Sequence, residues 1–286
     1  MTVRIVTDST CDLPAEVIAE HKIAVVPLYI NFGDRSFLDG VDLSRAEFYA
    51  RLPSSNPPPT TSAPGTAAFA DRYQELVAEG ASGILSIHIG SALSNVYNVA
   101  QMAAATITDV PVRVLDGGQI TLGTGLLVEH AARLAASGAS LEAIVTSVEG
   151  LASRTHSFAA FDTLEYLRRS GRVNLATFSI GTLLKMKPIL KMHAGQVITA
   201  RARTSQGAIT RLVDLALQLG PLESLALVHA GTPERLELLR QQVQARLPGV
   251  PIRMVGEVAP VIGAHVGPGT VCIVCVQTQG ERPWAS

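Results

Sequence analysis

The stretch GILSIHIGSALSNVYNVAQMAAATITDVPVRVLD, residues 83–116, decides the fold. Gly83–Ile89 is a short apolar run of strand length, Ser94–Ile107 has the spacing of a helix, and Val110–Leu115 is a second apolar run. A long helical pattern from Thr121 to Ala136 follows. Strands that alternate with helices of 10–15 residues predict a parallel sheet covered by helices on both faces. Working outward, Val3–Thr7 reads as a buried strand, and Asp12 caps a helix that Pro14 starts. Lys22–Ile30 reads as strand and Ser44–Leu52 as a short helix. The proline-rich bend Pro53–Pro59 then leads into a helix from Ala63 to Ala78. The second half changes character. Ser157–Phe161 is a strand, and Lys187–Arg203 holds two β-like runs around His193-Ala-Gly195, the pattern of an antiparallel hairpin. Helices over Gln206–Leu219 and Pro233–Leu247 flank strand Ser224–His229, and strands near Ile252–Glu257 and Thr270–Gln277 finish the chain. The fold class is therefore α/β with two domains. Residues 1–155 form a parallel-sheet first domain with helices on both faces, and residues 156–286 an α+β second domain, with the boundary near Arg154–Ser157.

The chain has 286 residues, enough for two cores. It is 47% hydrophobic and 16% charged, against about 25% charged in typical domains. No apolar run approaches the roughly 18 residues that cross a bilayer, and the first residues read as strand rather than as a signal peptide. Low charge in such a chain means large cores or an enclosed apolar ligand, and composition does not choose between them. The net charge is −1 with Lys and Arg scattered, so no nucleic-acid surface is indicated. Three cysteines make no disulfide framework, which predicts a reducing, cytoplasmic setting.

Several catalytic signatures fail. There is no G-x-S-x-G nucleophile elbow. Gly118 to Gly123 has part of a P-loop spacing, but Thr124 and Gly125 stand where Lys and Ser/Thr are required. Cys272-Ile-Val-Cys275 has metal or redox spacing inside a strand, where residues three apart point to opposite faces, so it reads as two buried small side chains. Asp8 and Asp12 lack a third ligand and suit a capping turn better than a metal. Two helix starts carry hydroxyls: Thr60-Thr61-Ser62 before Ala63-Pro64, and Ser91-Ala-Leu-Ser94. Free N–H groups at such ends hold anions, although plain capping uses the same residues. His265 reads as lying in a glycine-rich loop, and Arg172 as a charge at a helix end.

Five segments in order resemble the DegV family of fatty-acid-binding (FakB-type) proteins over about Ile5 to Cys275. They are Thr7-Asp8-Ser9-Thr10-Cys11-Asp12-Leu13, Thr61-Ser62-Ala-Pro64, Ile87-His-Ile-Gly-Ser91-Ala-Leu93-Ser94, Leu164-Glu-Tyr-Leu-Arg-Arg-Ser-Gly171-Arg172 and Gly263-Ala-His265-Val-Gly-Pro-Gly269. The resemblance implies an acyl chain buried in the first domain with its carboxylate near the domain junction. It implies that Thr61, Ser62 and Ser94 hold the carboxylate and that Arg172 and His265 lie near the acid head. It further implies a carrier that hands a long-chain fatty acid to a separate fatty-acid kinase, dihydroxyacetone-kinase-like, for acyl-phosphate formation in phospholipid synthesis. No cofactor or metal is expected beyond the fatty acid. Ala63, Asn95 and Gly117 depart from the family pattern, which leaves acyl length and ligand choice open. Two alternatives stand beside the carrier: a serine-dependent acyl hydrolase or transferase using Ser94 and His265, and a lipid-responsive regulatory protein.

Overall fold

The structure, a computed structural model, describes residues 2–163, 165–171 and 186–279. The first half runs β1 (Val3–Asp8), α1 (Ala15–Glu20), β2 (Ala24–Val26), β3 (Tyr29–Phe32), β4 (Arg35–Leu38), α2 (Arg45–Arg51), β5 (Thr60–Ser62) and α3 (Thr66–Ala78). It continues with β6 (Gly83–His88), α4 (Val96–Ala104), β7 (Val112–Asp116), α5 (Leu122–Ala136) and α6 (Leu141–Ala152). The second half is β8 (Thr155–Ala160), α7 (Glu165–Ser170), β9 (Lys187–His193), β10 (Gln196–Ala202), α8 (Ser205–Leu217), β11 (Leu222–His229), α9 (Pro233–Arg246), β12 (Ile252–Glu257), α10 (Pro260–Val266) and β13 (Val271–Gln277).

The predicted parallel sheet is present, in the order β2-β1-β6-β7 with every pair parallel. Strand β6 is buried along its whole length, as a strand covered on both faces must be. Helices α3 and α4 pack together as one pair and α5 and α6 as another. A second sheet, β10-β9-β8-β13-β11-β12, is mixed, with only β11 and β12 parallel. The expected hairpin is its β9–β10 edge, turning through Ala194 and Gly195, both at positive φ.

One large core joins the two sheets. It takes in the first sheet with its helices and also Ala226, Val228, Cys272 and Val274 from one face of the second sheet. The other face of that sheet, with Leu225, Leu227, Ile273 and Cys275, forms a separate core under α8 and α9. Cys272 and Cys275 thus stand in different cores, on opposite faces of β13, and no metal-binding cluster occurs among the described residues.

Four local expectations need correction. Lys22–Ile30 is two strands in two sheets, because Pro27 lacks the N–H a continuous ladder needs. Ser9 Oγ instead accepts from Leu28 N at 3.2 Å. The helix expected from Ala63 starts at Thr66, since the residue before Pro64 is kept out of helical geometry. Thr60–Ser62 form β5 and pair with Tyr29–Asn31 of β3. Helix α6 was missed, although Ser140 announces it: its hydroxyl accepts from Ala143 N. Finally, His265 sits on helix α10, not in a loop. Pro260 opens that helix and Gly267, at φ 75°, ends it.

Candidate functional site

The order β2-β1-β6-β7 reverses direction between β1 and β6, and an open parallel sheet has its ligand crevice at the carboxyl ends of such strands. Asp8 ends β1 there and organises both lips of the crevice. Its Oδ1 accepts from the Thr10 amide at 3.0 Å and from the Thr10 hydroxyl, and its Oδ2 accepts from His88 Nδ1 at 2.8 Å and Ile89 N at 3.4 Å. His88 Nε2 lies 2.7 Å from Ser86 Oγ, which accepts from Tyr73 OH at 2.9 Å. Both ring nitrogens of His88 are thus engaged, Nδ1 by Asp8 and Nε2 by Ser86. Burial pushes the Asp8 carboxyl up, but the hydrogen bonds from His88 and Thr10 outweigh it and hold the group below its usual range. The acid–histidine–serine order is that of a hydrolase triad. However, Asp8, Ser86 and His88 are fully buried, so no substrate reaches that serine.

Above this lip lies a mostly apolar cavity with room for water centres of about 120 Å³. Its floor is one face of the second sheet. Ser157 and Ala159 of β8 face it, with register partners Met192 and Leu190 on β9 and Cys272 on β13. The opposite wall is Ile89, Leu93 and Ile120 from the first half and Val261, Ile262 and Val266 of α10. The cavity therefore lies between the two sheets, with both halves of the chain in its wall.

Two of the hydroxyls and the histidine singled out from sequence line this cavity. Thr61 Oγ1 is 2.6 Å from His265 Nε2, and Thr61, His265 and Ser94 all line the cavity. Thr61 is delivered by β5, opposite Ile30 of β3. Alternation along that strand turns its neighbour Ser62 the other way, where it is exposed and outside the cavity lining. Ser94 precedes α4 in a turn whose Leu93 and Ser94 amides donate to Gly90 O. Its hydroxyl accepts from Val96 N, the first amide of α4, at 3.4 Å, and it also lines the cavity. Arg172 lies outside the described residues.

Helix α10 carries His265 and is clamped from the first half. Asp12 Oδ1 accepts from Ala259 N at 2.8 Å, with Arg45 3.5 Å away. Burial pushes the Asp12 carboxyl up to about 8 and that of nearby Asp39 up to about 6, with Arg45 opposing both shifts. Tyr49 OH donates to Val258 O at 3.0 Å. A Cβ on Gly263 would stand 2.7 Å from Phe48 Cε1, so only glycine lets α10 and α2 approach this closely.

Sequence reading missed the Asp8–His88–Ser86 chain and the Asp12–Asp39–Arg45 cluster. The one signal was polar side chains, Ser86 and His88, alternating with leucine and isoleucine in a strand read as buried. The departures from the family pattern fall around the crevice. Gly117 takes a position where a Cβ would meet His88 O at 2.6 Å, Asn95 is the N-cap residue of α4, and Ala63 packs half-buried against the large core.

Comparison with known proteins agrees with this architecture. A family model described as uncharacterised protein of the DegV family matches residues 2–278. A DegV domain-containing protein of Streptomyces coelicolor is 37% identical over 275 residues, 95% of this chain and 97% of that protein. A DegV family protein from Thermus thermophilus, described by its fatty acid binding, superposes with a TM-score of 0.89 at 32% identity, covering 97% of this chain and 100% of that one. DegV from Bacillus subtilis, described as a fatty acid binding protein, gives 0.85 at 29% identity with the same coverage. The chain belongs to the DegV family.

Proposed function

We propose that this DegV-family chain binds one long-chain fatty acid in the cavity between its sheets and presents the carboxylate to a separate kinase. The carrying observation is an apolar cavity whose wall holds the Thr61–His265 pair, with Ser94 at the start of α4. Two hydroxyls, a histidine and a helix N-terminus make a carboxylate receptor, and Arg172 is assigned to the same head group from the family resemblance. An acyl chain of about 16 carbons gains on the order of 12 kcal/mol gross at about 0.8 kcal/mol per buried methylene, of which association and ordering consume a part. Such a ligand survives purification. The residues supply no ATP-binding motif, so acyl-phosphate formation is assigned to a dihydroxyacetone-kinase-like partner in the cytoplasm.

The hydrolase alternative needs a base on Ser94 and a third group orienting that base. His265 Nε2 is engaged by Thr61 instead, which favours the carrier. Native mass spectrometry of the purified chain, followed by extraction, tests the proposal and should find one fatty acid per chain. Failure of delipidated protein to bind any long-chain fatty acid in a titration overturns it. Ester hydrolysis by the chain alone, lost in Ser94→Ala, overturns it in favour of an enzyme.

A further inference from the structure

The cavity floor continues into the edge hairpin β9–β10, which supplies Leu190, Met192 and Val197. The β8–β9 ladder that holds this hairpin stops at the pair Ser157 and Met192. One residue further, on the face turned away from the cavity, two histidine rings take over. His156 of β8 and His193 of β9 stack with centroids 3.8 Å apart and planes 11° from parallel. His193 Nδ1 donates to Thr155 O at 3.0 Å, an oxygen that also accepts from Gln119 Nε2 of the first half at 2.8 Å. The turn beyond is tied down by Gly195 N, which donates to Gly118 O at 3.2 Å. The hairpin end of the cavity wall is thus fastened by one ring stack and a few hydrogen bonds.

His156 is fully buried, and His193 is half-buried. His156 Nε2 lies 2.8 Å from Gln277 Oε1, and the Gln277 amide nitrogen donates to Leu219 O at 2.7 Å. That amide orientation leaves Oε1 as acceptor, so the neutral His156 ring carries its proton on Nε2. A second proton has only Nδ1 to occupy, and that buried nitrogen has no hydrogen-bond partner. Burial, and after it the charge on His193, push the His156 pKa down to about 4. Charged groups on the surrounding elements are Lys191 of β9, Arg211 of α8 near it, and the Arg154–Glu223 pair, whose arginine also donates to Gln277 O. The Cys275 thiol, in register with His156 on β13, is held neutral because burial raises its pKa. Two imidazolium rings stacked in this setting repel each other with no carboxylate bonded to either.

We propose that the stacked His156–His193 pair is an acid-sensitive latch: acidification frees the hairpin β9–β10 from β8 and hastens release of the fatty acid from the cavity that the hairpin walls. This rests on the fatty-acid-binding reading. An unlatched His156 meets water and takes a proton near about 6.5. The fastened hairpin is therefore fully favoured above that pH, and its advantage is lost as pH falls towards about 4.

The test loads the full chain with radiolabelled palmitate and follows its transfer to phosphatidylcholine vesicles between pH 7.5 and 4.5, with far-UV circular dichroism at each pH. His156→Gln keeps a donor for Gln277 and removes the titrating ring; His193→Phe keeps the stacked ring and removes its charge. Wild-type release should quicken by up to about tenfold per pH unit below about 6.5, the limit for one proton taken up on opening. The rise should flatten in His156→Gln and become shallower in His193→Phe. The ligand carboxylate and His265 titrate alike in all three proteins, so the difference between profiles isolates the stack. Superimposed profiles of the wild type and either folded variant overturn the latch while leaving the carrier intact, as does an acid rise that coincides with loss of the far-UV signal. Wild-type protein that takes up no palmitate at pH 7.5 overturns both.

Discussion

Replacing Gly263 by alanine inserts one methyl group where α10 crosses α2. That carbon would lie 2.7 Å from Phe48 Cε1 and 2.7 Å from Tyr49 Oη. Tyr49 can swing its hydroxyl aside, at the cost of its bond to Val258 O, worth about 1 kcal/mol. Phe48 cannot. It is fully buried, with its ring edge-on to Phe32 at 6.2 Å and to Tyr49 at 5.1 Å between centroids. Overpacking of this kind costs roughly 1–3 kcal/mol, and the better helix propensity of alanine returns about 1 kcal/mol. The net is a destabilisation of about 1–3 kcal/mol, or a fall in Tm of roughly 2–5 °C. Because α10 carries His265 to Thr61, fatty-acid affinity should fall with it. Gly150→Ala is the internal control: it lies inside α6 with nothing within 4 Å of the added Cβ. The same substitution there should stabilise by about 0.5–1 kcal/mol. Urea titration of the three proteins, with fatty-acid titration alongside, measures both effects. An unchanged urea midpoint and unchanged affinity in Gly263→Ala would show that α10 yields freely, and the clamp argument would fall.

Thr61→Ala and Ser94→Ala should each weaken fatty-acid binding by roughly 1–3 kcal/mol, the scale of hydrogen bonds to a charged group; wild-type titration curves in both would reduce them to strand and cap residues. His265→Ala should impair acyl-phosphate formation with a cognate kinase more than it impairs binding, because affinity comes mostly from apolar area and transfer from orientation; an equal loss in both assays would count against a presenting role. Burial holds the folded Asp39 carboxyl at about 6, whereas the unfolded chain releases that proton near about 4. The folded state therefore binds more protons in that window, and this group's contribution to stability falls as pH rises from about 4 to about 6. Asp39→Asn should remove that fall from the pH dependence of the urea midpoint, and an unaltered slope would exclude Asp39 as its source.

The alternation of apolar runs and helical spacing over residues 83–136 made the parallel sheet legible, since a strand buried on both faces must be apolar throughout. The hairpin at His193-Ala-Gly195 was legible because its turn needs positive φ, and the chain supplies glycine there. Proline set the failures. Pro27 and Pro64 each act one or two residues away from themselves, dividing one expected strand and delaying one expected helix. The short helix α10 was illegible because seven residues hold too few turns to show a period, and its flanking glycines read equally as loop. Thr61 and His265 lie 204 residues apart and meet at 2.6 Å only through β5 and α10. Local pattern carries no information about such a contact, and family resemblance alone pointed to it.

Composition left open whether low charge reflects large cores or an apolar ligand, and the structure shows why that question had no answer from sequence. The face of β13 that bears Cys272 and Val274 belongs to the core shared by both sheets, and Cys272 also lines the cavity. One apolar strand face thus serves both purposes within a few residues. Ala159 and Cys272, register partners on the cavity floor, are the same residue types that pack elsewhere in the cores. A cavity cut from the seam between two sheets is lined by core residues by construction, so its apolar content is indistinguishable from packing in any count. What separates the two is the polar groups that packing does not consume. Asp8 commits Thr10, and Gln119 commits Ser157, whereas Ser94 and the Thr61–His265 pair stand at the cavity wall. Those residues, rather than the hydrophobic fraction, are where a ligand with one polar end and a long apolar body leaves its mark.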